Sequence, residues 1–191
     1  MKNNQSGRSM VEMLGVLAII GVLSAGGLAG YSKAMFKHKL NSTMDQITML
    51  VTNIRTMYGT QGNYSGLSGA SAINLGIVPA VMGSTSAGLT NPFKGGVKIE
   101  TVEIKTGASL THNASAETGF SVKYSGLPKE ACIALATADF GSGAGSGFIG
   151  SLIEGSSLSG QYGASSEGKA YDMSTAIGAC AENKSVTWYF Y

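Results

Sequence analysis

The chain has 191 residues, of which 13% are charged, and its formal net charge is +2. That length suffices for one domain with its own core plus an appendage, and the thin scatter of Lys and Arg excludes a dense basic face for nucleic acid. The 28 glycines follow no period of three, which excludes collagen; together with many Ser, Thr and Ala they point to a loop-rich, partly β domain.

The N-terminal segment is apolar. No residue from Met13 to Ser32 is charged, and at ~1.5 Å per residue this gives a helix of about 30 Å, the thickness of a bilayer's hydrocarbon core. Lys2 and Arg8 ahead of it favour a cytoplasmic N-terminus, whereas Lys33, Lys37 and Lys39 beyond it oppose that orientation. A secretory signal peptide shares the positive start and the run ending near small residues, but its apolar core is usually shorter. The next segment separates the two readings. Apolar residues recur at Phe36, Leu40, Met44, Ile47, Val51, Ile54 and Tyr58 in steps of three and four, one face of a helix, with His38, Asp45, Thr52 and Arg55 opposite. No Pro interrupts, and Gly59 with Gly62 supplies a stop. The pattern predicts one helix from Ser9 to Tyr58, about 75 Å long, whose second half packs on a soluble domain.

Two features of this helix call for an explanation. Glu12 places a carboxylate in the apolar start, where burial of an ionised acid costs several kcal/mol unless it is paired; alternatively it serves only the positive end of the helix dipole. Gly15, Gly21, Gly26, Gly27 and Gly30 either let neighbouring helices approach or weaken the helix, at about 1 kcal/mol each relative to Ala. The Gly26 to Gly30 cluster is the candidate for local melting.

Residues 59–96 form a connection containing "INLGIVPAVM", which predicts one helical turn packed on the core. Val97 to Lys105 and Phe120 to Tyr124 alternate as strands, as does the terminal "SVTWYFY", with a further strand expected around Ala108 to His112. These make an antiparallel sheet packed on the long helix. "LPKEACIALATADF" reads as a short helix with Pro128 in its first turn. Gly141 to Gly168 is dominated by Gly and Ser, but Phe148, Ile149, Leu152, Ile153 and Leu158 can be buried, so an irregular ordered surface loop is expected. Cys132 and Cys180 flank this region. Paired, they would close a loop of about 48 residues and contribute roughly 4 kcal/mol by loop-closure entropy; two free buried thiols are the alternative.

The residues "GRSMVE" followed by "MLGVLAIIGVLS" and a single long helix resemble the type IV pilins. Precursors of that family carry a short polar leader ending in Gly, an apolar first mature residue and a Glu at the fifth mature position. Gly7 and Glu12 fit, and Arg8 is the departure. The resemblance implies cleavage by a prepilin peptidase between Gly7 and Arg8, N-methylation of the new amine on Arg8, and pairing of Glu12 with the N-terminal amine of a neighbouring subunit. "LTNPFKGGVKI", "SGLPKEACIAL" and "ACAENKSVTWYFY" narrow the similarity to the type IVb group, although the seven-residue leader is shorter than that group usually has. The implied organisation is a leader at 1–7, a transmembrane or filament-core half-helix at 8–32, an amphipathic half at 33–58, and a globular head at 59–191 with a Cys-bounded region at 132–180. The implied fold is α+β, the type IV pilin fold.

No nucleophile elbow, His and acid pairing or phosphate-binding loop is present, so an enzyme is not expected. Two cysteines cannot complete a tetrahedral zinc site, neither His38 nor His112 lies near them in sequence, and no metal or cofactor is expected. N-glycosylation patterns, such as "NST" and "NKS", arise easily by chance in such a composition. The expected role is a pilus subunit, waiting in the inner membrane and then polymerising with copies of itself through the assembly machinery into a surface filament. A type II secretion pseudopilin and a membrane-anchored minor pilin or adhesin are the alternatives.

Overall fold

The computed structural model describes residues 10–82, 88–104, 110–111, 117–141, 147–157, 159 and 169–191. The chain divides into two units, Met1–His38 and Lys39–Tyr191. Helix α1, Met10–Tyr58, supplies the described part of the first unit and opens the second. It has no proline, and its hydroxyl residues, which elsewhere compete with helical hydrogen bonding, instead turn onto their own helix. Ser32, Thr43, Thr48, Thr52 and Thr56 each donate to the carbonyl four residues back. The helix stops where the Gly59 amide donates to the Arg55 carbonyl. A Cβ on Gly59 would lie 2.7 Å from that oxygen.

In the first unit every residue from Met10 to Met35 is exposed, including Leu14, Leu17, Ile19, Ile20 and Leu23. Among the described residues α1 is the one helix long and apolar enough to cross a membrane.

The second unit continues with α2, Gly69–Asn74, a 3-10 turn at Ala80–Met82, β1, Leu89–Thr90, β2, Gly96–Ile104, and β3, Leu110–Thr111. Then follow β4, Gly119–Leu127, α3, Lys129–Ala136, β5, Phe148–Ile153, α4, Met173–Ala179, and β6, Lys184–Phe190. The sheet is antiparallel in the order β1-β2-β4-β6-β5, with β3 also paired to β2. The last strand is therefore an inner one. Val186, Trp188 and Phe190 of β6 stand opposite Tyr124, Val122 and Phe120 of β4, and these cross-strand pairs carry the core. Ile47, Leu50, Val51, Ile54 and Tyr58 of α1 join the same buried cluster. A smaller cluster of Val102, Ile104, Ile149 and Tyr189 occupies the sheet's other face.

The predicted stripe on α1 is present from Ile47 to Tyr58, with Leu50 added and Leu40 and Met44 partly buried. Three readings need correction. Gly141 to Gly168 is not wholly irregular, because it contains β5, five of whose six residues are buried. Gly150 and Ser151 break the polar and apolar alternation there, since a strand covered on both faces needs none. Ser151 is buried opposite Trp188, with its hydroxyl donating to the Ala136 carbonyl at 3.2 Å. Helix α4 was not predicted. It is capped by Asp172, whose carboxylate accepts from the Thr175 amide at 3.0 Å. Pro128 is the N-cap of α3 rather than part of its first turn. Of the strand expected around Ala108 to His112, Leu110 and Thr111 form β3, while Ala108 and His112 lie outside the described residues.

The "LTNPFKGG" block forms the turn between β1 and β2. The Asn91 side chain accepts from the Phe93 and Gly95 amides and donates to the Ser125 carbonyl at 2.8 Å. Lys94 takes a positive φ of 67°, and a Cβ on Gly95 would collide with the Ser125 carbonyl. Only glycine lets β4 approach that closely.

Tyr124 is fully buried against the edge of Trp188, and its hydroxyl has no hydrogen-bond partner among the described residues. Burial raises its pKa above the ordinary 10.0. Because the native state holds this proton more tightly than the unfolded chain, the associated stability is present below pH ~10 and is lost as pH rises beyond it. Tyr124→Phe should therefore raise thermal stability at neutral pH by on the order of 1 kcal/mol, through removal of an unpaired polar group. It should also flatten the loss of stability above pH ~10, leaving the smaller contributions of Tyr64 and Tyr189, whose pKa values burial also raises. Circular dichroism melts of the detergent-solubilised chain across pH check both effects.

Candidate assembly site

The predicted site residues fall into two groups. Gly7 and Arg8 lie outside the described residues. Glu12 lies in the first turn of α1, exposed, and makes no ion pair among the described residues. An acid in the first turn of a helix is favoured by about 0.3–1 kcal/mol through the positive end of the helix dipole. Around it Met10, Val11, Met13 and Leu14 are all exposed, so the carboxylate is the single charge in an uncovered apolar surface.

In the second unit Cys132 and Cys180 form a disulfide, with a Cα to Cα distance of 5.8 Å. Cys132 lies in α3 and Cys180 is the C-cap of α4, so the bond fastens these two helices together. Both cysteines are buried. Pro128 provides no side-chain cap for α3; Glu182, two residues past Cys180, accepts from the Lys129 amide at 3.2 Å. A carboxylate brought in from the far side of the bridge thus serves the positive end of α3.

Arg55, placed by its periodicity on the solvated face, is drawn inward. Its guanidinium carbon lies 5.5 Å from the centroid of the Phe190 ring, and Nη2 donates to the Tyr191 carbonyl at 3.4 Å. Burial raises the pKa of Tyr64, and a hydrogen bond and charge from Arg55 oppose that rise. The Tyr191 amide donates to the Gly147 carbonyl at 2.9 Å, and a Cβ on Gly147 would strike the guanidinium. The last turn of α1 is thereby tied to the end of β6 and the start of β5. No periodicity rule could have found this, because the aromatic partner lies at the opposite end of the sequence.

A cleft of about 310 Å³ is lined by Ser156, Ser159, Lys169, Tyr171, Asp172 and Thr175, among others. Its hydroxyls serve the fold: Ser156 donates to Ile153, Ser159 donates to Lys169, and Thr175 donates to Asp172. Hydrogen bonds from the Thr175 hydroxyl and amide hold the Asp172 carboxyl below its ordinary pKa. Among the described residues no group of three His, Cys, Asp or Glu is placed to hold a metal.

Comparison with known proteins gives this arrangement its context. The model of the Bundlin family matches residues 33–187, most of the chain. The chain belongs to the Bundlin family. It is 28% identical over 144 residues to the major structural subunit of bundle-forming pilus of Escherichia coli O127:H6 (strain E2348/69 / EPEC), covering 75% of this chain and 69% of that one. The corresponding subunit of Escherichia coli O111:H- matches to the same extent. Among solved structures, a type IVb pilin from Salmonella typhi superposes with a TM-score of 0.52 at 17% identity, over 78% of this chain and 97% of that one. The fold is that of a type IV pilin, as the sequence resemblance implied, and this Bundlin family member is not an enzyme.

Removal of the disulfide tests the head. Cys132→Ser with Cys180→Ser should cost roughly 4 kcal/mol by loop-closure entropy, which lowers Tm by about 10 °C for a domain of this size. Melts with and without reductant should reproduce the loss in the wild-type chain and show none in the double variant.

Proposed function

We propose that this chain is the structural subunit of a type IVb pilus, processed by a prepilin peptidase between Gly7 and Arg8 and N-methylated on Arg8. The observation that carries the proposal is the family match, which spans most of the head, joined to an apolar half-helix exposed from Met10 to Met35. A contiguous apolar surface of that extent is not tolerated in water and requires a bilayer or partner chains. The inner membrane takes it first. The assembly machinery then transfers the subunit into a surface filament, where the same side chains pack against the helices of other copies, for adhesion, aggregation, conjugation or motility.

Glu12 selects the docking position in this scheme. Its carboxylate pairs with the amine that cleavage frees on Arg8 of a neighbouring subunit, so the pairing partner exists only after the leader is removed. An ion pair in a medium of low dielectric is worth far more than one in water, and an unpaired charge there costs several kcal/mol.

Mass spectrometry of sheared, purified filaments tests processing and membership together: the expected result is this chain as the main component, starting at methylated Arg8. A chain retaining Gly7 in the filament, or filaments lacking the chain, would overturn the proposal. Glu12→Ala should leave membrane insertion and head stability unchanged and reduce filament yield at least tenfold, on the order of the 1.4 kcal/mol that a single lost pairing exceeds; electron microscopy and immunoblots of sheared fractions measure it.

A further inference from the structure

Between Glu12 and Asp45 helix α1 contains no acid, yet it carries Lys33, Lys37 and Lys39. Lys39 is half-buried, whereas Lys33 and Lys37 are exposed and make no ion pair among the described residues. They stand four residues apart on one stripe of the helix, where like charges repel. The positions four residues before and after the pair hold Ala29 and Asn41, so no carboxylate is spaced to offset that repulsion. Asp45 lies about two turns farther along the helix. The two lysines also border the apolar segment. Ser32, its last uncharged residue, turns its hydroxyl onto the Leu28 carbonyl at 3.0 Å, and Tyr31 is exposed beside it. A Tyr followed by Lys at the end of an apolar span suits the boundary between membrane and water, with the ring among the headgroups and the ammonium group reaching outward.

We infer that Lys33 and Lys37 bind the headgroups of anionic phospholipids in the leaflet at their end of the span. The inference rests on the pilus reading, which holds the subunit in the inner membrane before assembly, and it names the lipid partner of that state. The dimensions agree. The uncharged stretch from Met13 to Ser32 matches the hydrocarbon core in length, and the headgroup layer adds roughly 5–7 Å on each side. Lys37 lies about 6 Å beyond Lys33 along α1, so both lysines fall within that layer. A zwitterionic headgroup already carries its own cation, whereas an anionic one brings the negative charge that this stretch of helix lacks. A soluble phosphate or a nucleic acid could meet the same two lysines, but the adjoining apolar surface, exposed from Met10 to Met35, selects a lipid. The pair fixes the height at which the span rides, and its headgroup contacts must break when the subunit leaves the bilayer.

The inference is tested with the full-length chain inserted into phosphatidylcholine vesicles that carry a trace of spin-labelled phosphatidylglycerol or spin-labelled phosphatidylcholine. Electron spin resonance reads the fraction of each label held against the protein. The wild-type chain should retain phosphatidylglycerol at least about fivefold in preference, the ratio that one lysine at an anionic surface supplies. Lys33→Gln with Lys37→Gln should lower that preference at least about threefold, the N-terminal flank being the same in both chains. Lys33→Arg with Lys37→Arg should keep it, because Arg retains the charge. Head Tm should change by less than about 2 °C in either variant, since both positions are exposed. No preference in the wild-type chain, or an unchanged one in the glutamine variant, would overturn the inference. So would a lysine-dependent dimer in the same vesicles, which would assign the countercharge to a second copy of the chain. None of these measurements needs a filament; failure of the wild-type chain to enter filaments would sink the pilus reading instead.

Discussion

The constraint on which the rest depends is an apolar half-helix that is exposed along its described length. Every residue from Met10 to Met35 is exposed, and the described core of the head is built from Ile47 to Tyr58, the sheet and α3. A globular protein normally spends its apolar residues on its own interior. Here one set builds a stable domain, and a second, equally apolar set remains to be satisfied by another environment. The sparse charge follows from this division, because on the proposed reading the second set must meet lipid and then other helices.

The head is arranged so that a helix entering from one end of the sequence is held by residues from the other. β6 is the last strand and also an inner strand, so Trp188 and Phe190 are buried by neighbours on both sides. Arg55 and Tyr191 join α1 to that strand, and the disulfide fastens α3 to α4 across a separation of 48 residues. Most of these contacts are long-range, so little of the head is stable until the final strand is in place. Such a domain gains from a covalent bond that restricts the unfolded chain.

Much of this was legible in the sequence, for identifiable reasons. The helix was readable because a 3.6-residue period runs from Phe36 to Tyr58 without a proline, and β4 and β6 because one face alternates with the other. β5 was hidden, since Gly150 and Ser151 sit where alternation demands large residues; Ser151 is buried by a hydrogen bond to α3 that composition cannot reveal. α4 was hidden because two of its apolar residues, Met173 and Ile177, are exposed rather than inward-facing. At the candidate site Glu12 was visible as an acid among apolar residues. Arg55 was misplaced, because periodicity assigns a face but cannot know that a phenyl ring lies beside it.

The low specificity of apolar contact explains why polar details matter most along α1. In lipid, one apolar helix gains little by exchanging acyl chains for the side chains of another, since both are equally free of water. Association there must be decided by packing shape and by the few polar groups present. On the proposed reading Glu12 selects a register because it cannot be covered without its partner. A charge left unpaired makes wrong positions costly; an all-leucine helix would offer no such distinction.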